Sequence, residues 1–460
     1  MTDFTIKELE EWNEAIEEIV RSEGLDYYEQ EFEICSYEDM IGYETYIGMP
    51  SHYPHWSYGK SYEKIKTLHK YNLSGLPYEM VINSNPCIAY LMKDNTLLLQ
   101  ILTIAHVYGH NDFFKNNRLF KCGTRADYTV EMFKNHANRI REYIADPGIG
   151  YAKVERILNA AHALKFQCSR VAGEKRVSEE EKRKALLERI QKPKTEYPLL
   201  IPSSQEELPD FKRIPLEPEE DLLYFITSYG RLNSWEKDII DIVRKENAYF
   251  IPQIETKIMN EGWASFWHYT ILNKLELPQG LHLEFLKRHN QVIRPHMGQI
   301  NPYYIGFKIF EYIKNKNPDN KRAIFDIREI ERDQSFIRRY LNEELCKEMN
   351  LFEYSKSGND YVISEVSDDE GWKKIRDSLA DSVGMGGIPV IKVLEWVQKD
   401  NTLVLEHQFD SRELELNYAY ETLKHAVDLW DGKVVLVTYL DNRRKFITCD
   451  EQKRISLSNT

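Results

Sequence analysis

The sequence predicts an α+β protein, with a largely helical N-terminal body and a C-terminal α+β module built on a mostly antiparallel sheet. Two observations predict this. Up to about residue 349, apolar residues recur at three- and four-residue steps, the period of a helix with one buried face. From about residue 359, short alternating segments rich in Val, Ile and Tyr are interleaved with two helical stretches, in the order β-α-β-β-α-β-β. The body is read as 1–355 and the module as 356–460. At roughly 150 residues per domain, 460 residues accommodate two or three domains.

Taken in order, residues 3–24 form an amphipathic helix with Phe4, Leu9, Trp12, Ile16 and Val20 on one face. The aromatic stretch 43–60 carries Gly48, Pro50, Pro54 and Gly59 and reads as turns and irregular backbone. Residues 79–83 are a strand, Ser84-Asn85-Pro86 a turn, and 87–91 an apolar run after it. Three helices follow, at 96–115, 127–145 and 150–166. The stretch 170–220 is charged around Ser178–Lys184 and then punctuated by Pro193, Pro198, Pro202, Pro209, Pro215 and Pro218. It is either an exposed linker or arm, or a solvated helix followed by a loop. Helical periodicity returns at 219–249, 254–275, 302–314 and 321–349. In the module, strands are expected at 361–366, 389–396, 402–407, 433–439 and 444–449, and helices at 371–382 and 414–430.

Composition excludes several function classes. Lys and Arg total 61 against 74 Asp and Glu, a formal charge of −13, so the chain is no coat for nucleic-acid phosphates. No stretch approaches the roughly 18 uncharged apolar residues of a membrane span. The first residues are acidic (Glu8, Glu10, Glu11, Glu14) where a signal peptide is basic. A cytoplasmic location is the expectation. The 6 cysteines are scattered with no C-x-x-C pair, so neither a disulfide framework nor a cysteine zinc knuckle is indicated. Of 56 aromatic residues 29 are Tyr, whose rings bury while their hydroxyls seek partners, and the aromatics concentrate at 43–62, 263–269 and 303–310. That clustering suggests the wall of a pocket.

Residues able to carry chemistry lie in the same neighbourhoods. His106 and His110 are four apart on an apolar helix and therefore share a face that can present two imidazoles to one cation. The spacing is that of H-E-x-x-H metallopeptidases, with Val107 in the position of the catalytic Glu. The alternative is a hydrogen-bonded pair of buried histidines. In Asn260-Glu261-Gly262-Trp263-Ala264-Ser265-Phe266-Trp267-His268, Glu261 and His268 are seven apart and share a helix face. A His-x-x-x-His helix, a Glu on a later helix and then a Tyr-bearing helix start at Pro302-Tyr303 repeat the order of Glu-zincin peptidases. On this reading His106, His110 and Glu261 are metal ligands, and zinc is the metal such a set would hold. Asp112 and His268 are the candidate catalytic groups, because hydrolysis needs a base that Val107 does not supply. His55, Trp56, Lys60 and Tyr303 suit a substrate-binding rim; for the first three the alternative is an ordinary aromatic turn. Cys87 is either a thiol nucleophile or a buried inert cysteine. Gly384-Met385-Gly386-Gly387 lacks the Lys-Ser/Thr of a phosphate loop and reads as a tight connection.

Several of these segments together resemble the stage V sporulation protein R (SpoVR) family. They are Tyr46-Ile47-Gly48-Met49-Pro50, His55-Trp56-Ser57-Tyr58-Gly59-Lys60, Val81-Ile82-Asn83-Ser84-Asn85-Pro86-Cys87, the run Ala105–Asn117, Asn260–His268 and Asn301-Pro302-Tyr303. The resemblance runs from near residue 5 to about 450. It implies a role in forming the spore cortex, a modified peptidoglycan, with relatives that occur near serine kinases of the PrkA type. It brings no settled reaction, and it implies that Val107 is normal at its position. Two functions are therefore expected as alternatives. One is a metal-dependent hydrolase or transferase acting on an amide of a peptidoglycan precursor. The other is a non-catalytic adaptor that organises cortex-synthesis or kinase partners.

Overall fold

In a computed structural model of the chain, residues 4–71, 77–171, 173, 176–191, 211, 213–295, 300–357 and 360–459 are described. The chain forms two compact units, each assembled from two stretches: residues 1–142 with 248–387, and residues 143–247 with 388–460. The α+β class is as expected.

The first unit is centred on three helices. Leu97–Asn116, the histidine helix, starts at Thr96, whose hydroxyl accepts the Leu99 N–H. Every residue from Leu98 to Phe114 is buried, so this helix is packed on all sides. Lys257–Lys274, the glutamate helix, receives its cap from elsewhere in the chain: Asp333 accepts the N–H of Ile258 at 2.8 Å and of Met259 at 2.9 Å. Pro302–Lys316, the tyrosine helix, opens with a proline in its first turn, and Asn301 accepts the Tyr303 N–H at 3.0 Å. Small residues let the three come close. A β-carbon on Gly262 would stand 2.3 Å from the Gly306 Cα, and one on Gly109 would stand 2.6 Å from the Ala264 Cα. Around these crossings Trp263 meets Phe310 edge-on at 5.0 Å, and Phe310 meets Phe336 at 4.9 Å.

A three-stranded sheet flanks the helices. Strands β1 (Gln30–Cys35), β2 (Glu79–Ile82) and β3 (Cys87–Met92) lie in the order β1-β3-β2, with β1 parallel and β2 antiparallel to the central β3. β1 was not expected; its exposed Glu31 and Glu33 give it the look of a charged loop. The stretch 43–60 also departs from expectation. Tyr37–Thr45 and Trp56–Lys70 are helices, capped by the side chains of Ser36 and His55, and the Gly and Pro residues mark mainly the turn between them. The expected 321–349 helix is three short ones, Ala323–Ile330, Asp333–Tyr340 and Glu343–Glu348. The hairpin β4 (Phe352–Ser357) and β5 (Asp360–Val366) and the helix Gly371–Ser382 complete this unit.

The second unit holds a five-stranded sheet. Its strands are β6 (Ile391–Val397), β7 (Thr402–His407), β8 (Val434–Leu440), β9 (Arg443–Cys449) and β10 (Ile455–Asn459), in the order β10-β9-β8-β7-β6. All pairings are antiparallel except β7–β8, where the helix Leu416–Trp430 makes the crossover that a parallel pair needs. That helix packs on Tyr151–Leu164. Part of the expected linker is ordered structure here. Glu179–Gln191 is helical, and residues 214–219 run along β6, with Trp396 N–H donating to the Ile214 carbonyl at 2.7 Å and Val393 and Glu219 exchanging backbone bonds. Residues 192–210, with Pro193, Pro198, Pro202 and Pro209, lie outside the described residues. The units are thus cut differently from 1–355 and 356–460: β4, β5 and Gly371–Ser382 belong with the helical unit, and 143–247 with the sheet. Among the described residues no helix is long and apolar enough to cross a membrane.

Candidate metal centre

The histidine helix, the glutamate helix and β2 bring four ligand-type side chains together. His106 Nε2 stands 3.8 Å from Glu261 Oε2, and His110 Nε2 stands 3.6 Å from the same oxygen. Glu79, the first residue of β2, adds an oxygen 3.8 Å from His106 Nε2. The ligand atoms of Glu79, His106 and His110 lie within 4.8 Å of one another. Donors about 2.0–2.1 Å from a tetrahedral zinc stand roughly 3.3–3.5 Å apart, so the 3.6–3.8 Å spacings sit a few tenths of an ångström outside a closed zinc shell.

The second ring nitrogens decide what the Nε2 atoms can do. His110 Nδ1 is 2.9 Å from the Asn260 side-chain oxygen, an acceptor, so Nδ1 carries the proton and Nε2 keeps its lone pair. His106 Nδ1 is 3.0 Å from His268 Nδ1, and His268 Nε2 is 2.8 Å from His289 Nδ1. With one proton per ring, this chain of three histidines can run in either direction, and a cation at His106 Nε2 would select the one in which His106 donates to His268 and His268 donates to His289. That arrangement leaves the His106 Nε2 lone pair facing the carboxylates. Outer partners of this kind orient metal-ligating histidines. Glu261 Oε2 is buried and accepts no hydrogen bond, an orphaned anionic oxygen aimed between two imidazole lone pairs. The residues present fit a divalent cation.

Electrostatics agree with neutral imidazoles. Burial, aided by the neighbouring His106, lowers His110 to about 4; burial likewise lowers His289 to about 4 and pushes His268 well below the ordinary histidine range. Burial pushes Glu79 up, reinforced by Glu261 and opposed by His106. For Glu261 burial also acts upward, but His106 and His110 outweigh it and the net shift is downward. The charge of Glu261, then burial and Glu79, hold the Tyr303 hydroxyl well above the ordinary tyrosine range, so it stays protonated and can donate. Its ring stacks on His106 at 6.2 Å.

A cleft of ≈ 620 Å³ opens onto the cluster, lined by Tyr78, Glu79, His106, Glu261, His268 and Tyr303 among others. The sequence-predicted His106, His110, Glu261, His268 and Tyr303 therefore gather in one place. His268 has both ring nitrogens engaged with other histidines, so it holds His106 rather than serving as a free base. Asp112 is elsewhere. Two positions on from His110, it projects from the far side of the helix. There it accepts Trp263 Nε1–H and Asp26 N–H, each at 2.8 Å, and pairs with Arg328 at 3.2 Å. Burial raises it to about 6, against the pull of Arg328. Its oxygens clamp the chain before β1 to the histidine helix, a task shared by Asn111, which bonds both the N–H and the carbonyl of Tyr28. Asp112 is a structural group and not the missing base.

His55, Trp56 and Lys60 do not line the cleft. His55 caps its helix, with Nδ1 2.7 Å from the Ser57 hydroxyl, and Lys60 lies over the Trp56 ring at 5.8 Å. The aromatic excess has a different address from the expected pocket wall. Tyr46, Tyr53 and Tyr58 gather round His52, Trp263 and Phe310 fill the core, and of the tyrosines only Tyr78 and Tyr303 are among the described lining residues. Cys87 is buried, with its thiol directed to the Ile82 carbonyl at 3.4 Å and its pKa driven far up by burial, so it is the inert alternative. Glu79 is the residue that sequence reading missed, because a lone acid opening a strand carries no spacing signal toward a helix pair.

Comparison with known proteins bears on the whole chain. Residues 3–388 match the family of SpoVR like proteins, and residues 389–441 match the SpoVR-like C-terminal domain. The chain is 34% identical over 475 residues to an uncharacterized protein, YcgB, of Escherichia coli (strain K12), an alignment covering 94% of this chain and 92% of that one. No solved structure matches the chain. With the family match spanning both units and the relative aligned nearly end to end, the chain belongs to the SpoVR family.

Proposed function

We propose that this chain is a metal-dependent enzyme that hydrolyses, or transfers at, an amide of a peptidoglycan precursor during spore cortex formation, with zinc held by His106, His110 and Glu261. The observation that carries the reading is the buried, unbonded Glu261 oxygen between two histidine nitrogens whose opposite nitrogens are already committed. Two His and one Glu are a donor set found in catalytic zinc sites. The metal supplies a Lewis acid beside the cleft. On this reading Tyr303, whose hydroxyl is kept protonated beside Glu261, donates a hydrogen bond to a substrate carbonyl. The cortex assignment rests on family membership alone.

Elemental analysis of untagged protein by inductively coupled plasma mass spectrometry tests the metal. About one equivalent of zinc, lost in His106→Ala, is expected. Less than about a tenth of an equivalent of any transition metal, unchanged by that substitution, would sink the proposal. One observation favours an adaptor instead: the usual catalytic-glutamate position holds Val107, which is buried. If His110→Ala and Glu261→Ala fold normally and still support cortex formation, the adaptor reading replaces the enzyme.

A further inference from the structure

The geometry points to Glu79 as the general base of this site, supplied by a β-strand to replace the glutamate that Val107 displaces from the histidine helix. The inference rests on the metal reading above and deepens it. Val107 has no exposure at all, so nothing at that position reaches the cleft. Glu79 does reach it. Its side chain is 18% exposed, it lines the cleft, and its Oε1 is 3.8 Å from His106 Nε2.

The two carboxylates are not equivalent. Glu261 Oε2 lies within 3.6–3.8 Å of both imidazole Nε2 atoms, the position of a shared ligand. Glu79 comes within salt-bridge distance of His106 alone among that pair, with its ligand atom within 4.8 Å of those of both histidines, so it stands beside the triad in the lining of the cleft. Its backbone is fixed, because β2 pairs with β3 in a register that sets Glu79 opposite Leu91. A base on a paired strand is held as firmly as one on a helix.

The step balances without further reactants. The Glu79 carboxylate takes a proton from the attacking water as the water oxygen bonds to the amide carbonyl carbon. The C–N bond then breaks, Glu79 returns that proton to the leaving nitrogen, and the products are a carboxylic acid and an amine.

The test compares wild type, Glu79→Gln, Glu79→Asp and Glu261→Gln for zinc content and for affinity toward acetohydroxamate. That probe binds zinc through two oxygens and passes its proton to an adjacent base. Glu79→Gln should keep one equivalent of zinc and bind acetohydroxamate at least about tenfold more weakly, with Glu79→Asp intermediate and Glu261→Gln depleted of zinc. If Glu79→Gln loses zinc as Glu261→Gln does, Glu79 is a fourth ligand; the base assignment falls and the metal reading stands. Unchanged acetohydroxamate affinity in zinc-loaded Glu79→Gln also overturns it. Wild-type protein without zinc overturns the metal reading first, and this inference with it.

Discussion

His110, Asn111 and Asp112 are consecutive in sequence and serve two separate purposes. A helix turns about 100° per residue, so His110 faces the carboxylates while Asp112 faces Trp263 and Arg328. The pair His106 and His110 was legible because a four-residue step is a geometric statement in its own right. Glu261 was legible through its place on a later helix beside His268. Asp112 was misread because polarity next to a histidine pair says nothing about which face the side chain takes. Behind His106, His268 bridges His106 and His289, and this bridge is what orients the His106 ring. His268→Phe keeps the volume of the ring and removes both bonds. It should weaken zinc binding by about 10–100-fold, read by competition with a chelator, while His268→Gln, which can still accept from His106, should lose less. Equal affinity in wild type and His268→Phe would show that the histidine chain does not orient the ligand.

The site exists because three helices cross closely enough for side chains on each to touch. Gly109 against Ala264 sets the distance between the histidine and glutamate helices, and Gly262 against Gly306 sets that between the glutamate and tyrosine helices. These glycines have ordinary helical backbone, so their value lies in the missing β-carbon and not in conformational freedom. Gly262→Ala would place a methyl within 2.3 Å of the Gly306 backbone, where neither partner has a side chain that can move aside. The helices must separate. Overpacking of this kind costs about 1–3 kcal/mol, and urea unfolding should show it as a lower midpoint with unchanged slope. Gly280, with open space around its would-be β-carbon, is the control, and Gly280→Ala should be neutral or slightly stabilising. The helices themselves were visible from periodicity. Their crossing points were not, since a small residue in a sequence does not announce which neighbour it admits. Strand β1 was hidden for a related reason: what makes it a strand is pairing with β3, more than 50 residues away, and not its own charged composition.

Chain order and three-dimensional order part company at the scale of the whole molecule. The family boundary at residue 389 suggests a C-terminal domain that folds alone, and the switch from helical to alternating texture suggested one beginning near 356. The second unit argues otherwise. Its sheet is β6–β10, but the helix Leu416–Trp430 packs on Tyr151–Leu164, and residues 214–219 hydrogen-bond along β6. Trp430 is 1% exposed and stacks on Phe225 at 5.9 Å, while Tyr229 meets Trp396 at 6.0 Å. Removing residues 143–247 would uncover this apolar face and leave the outer side of β6 without its partner, an invitation to aggregate. The family segment 389–441 is shorter still and ends between β8 and β9, so it lacks the last two strands. A fragment of residues 388–460 should therefore show no cooperative thermal transition by circular dichroism. Co-expression with a 143–247 fragment should restore one and yield a complex that co-elutes on gel filtration. A sharp transition from 388–460 alone would mean that the five-stranded sheet needs none of the helices from the middle of the chain, and that the discontinuous unit is two domains in contact.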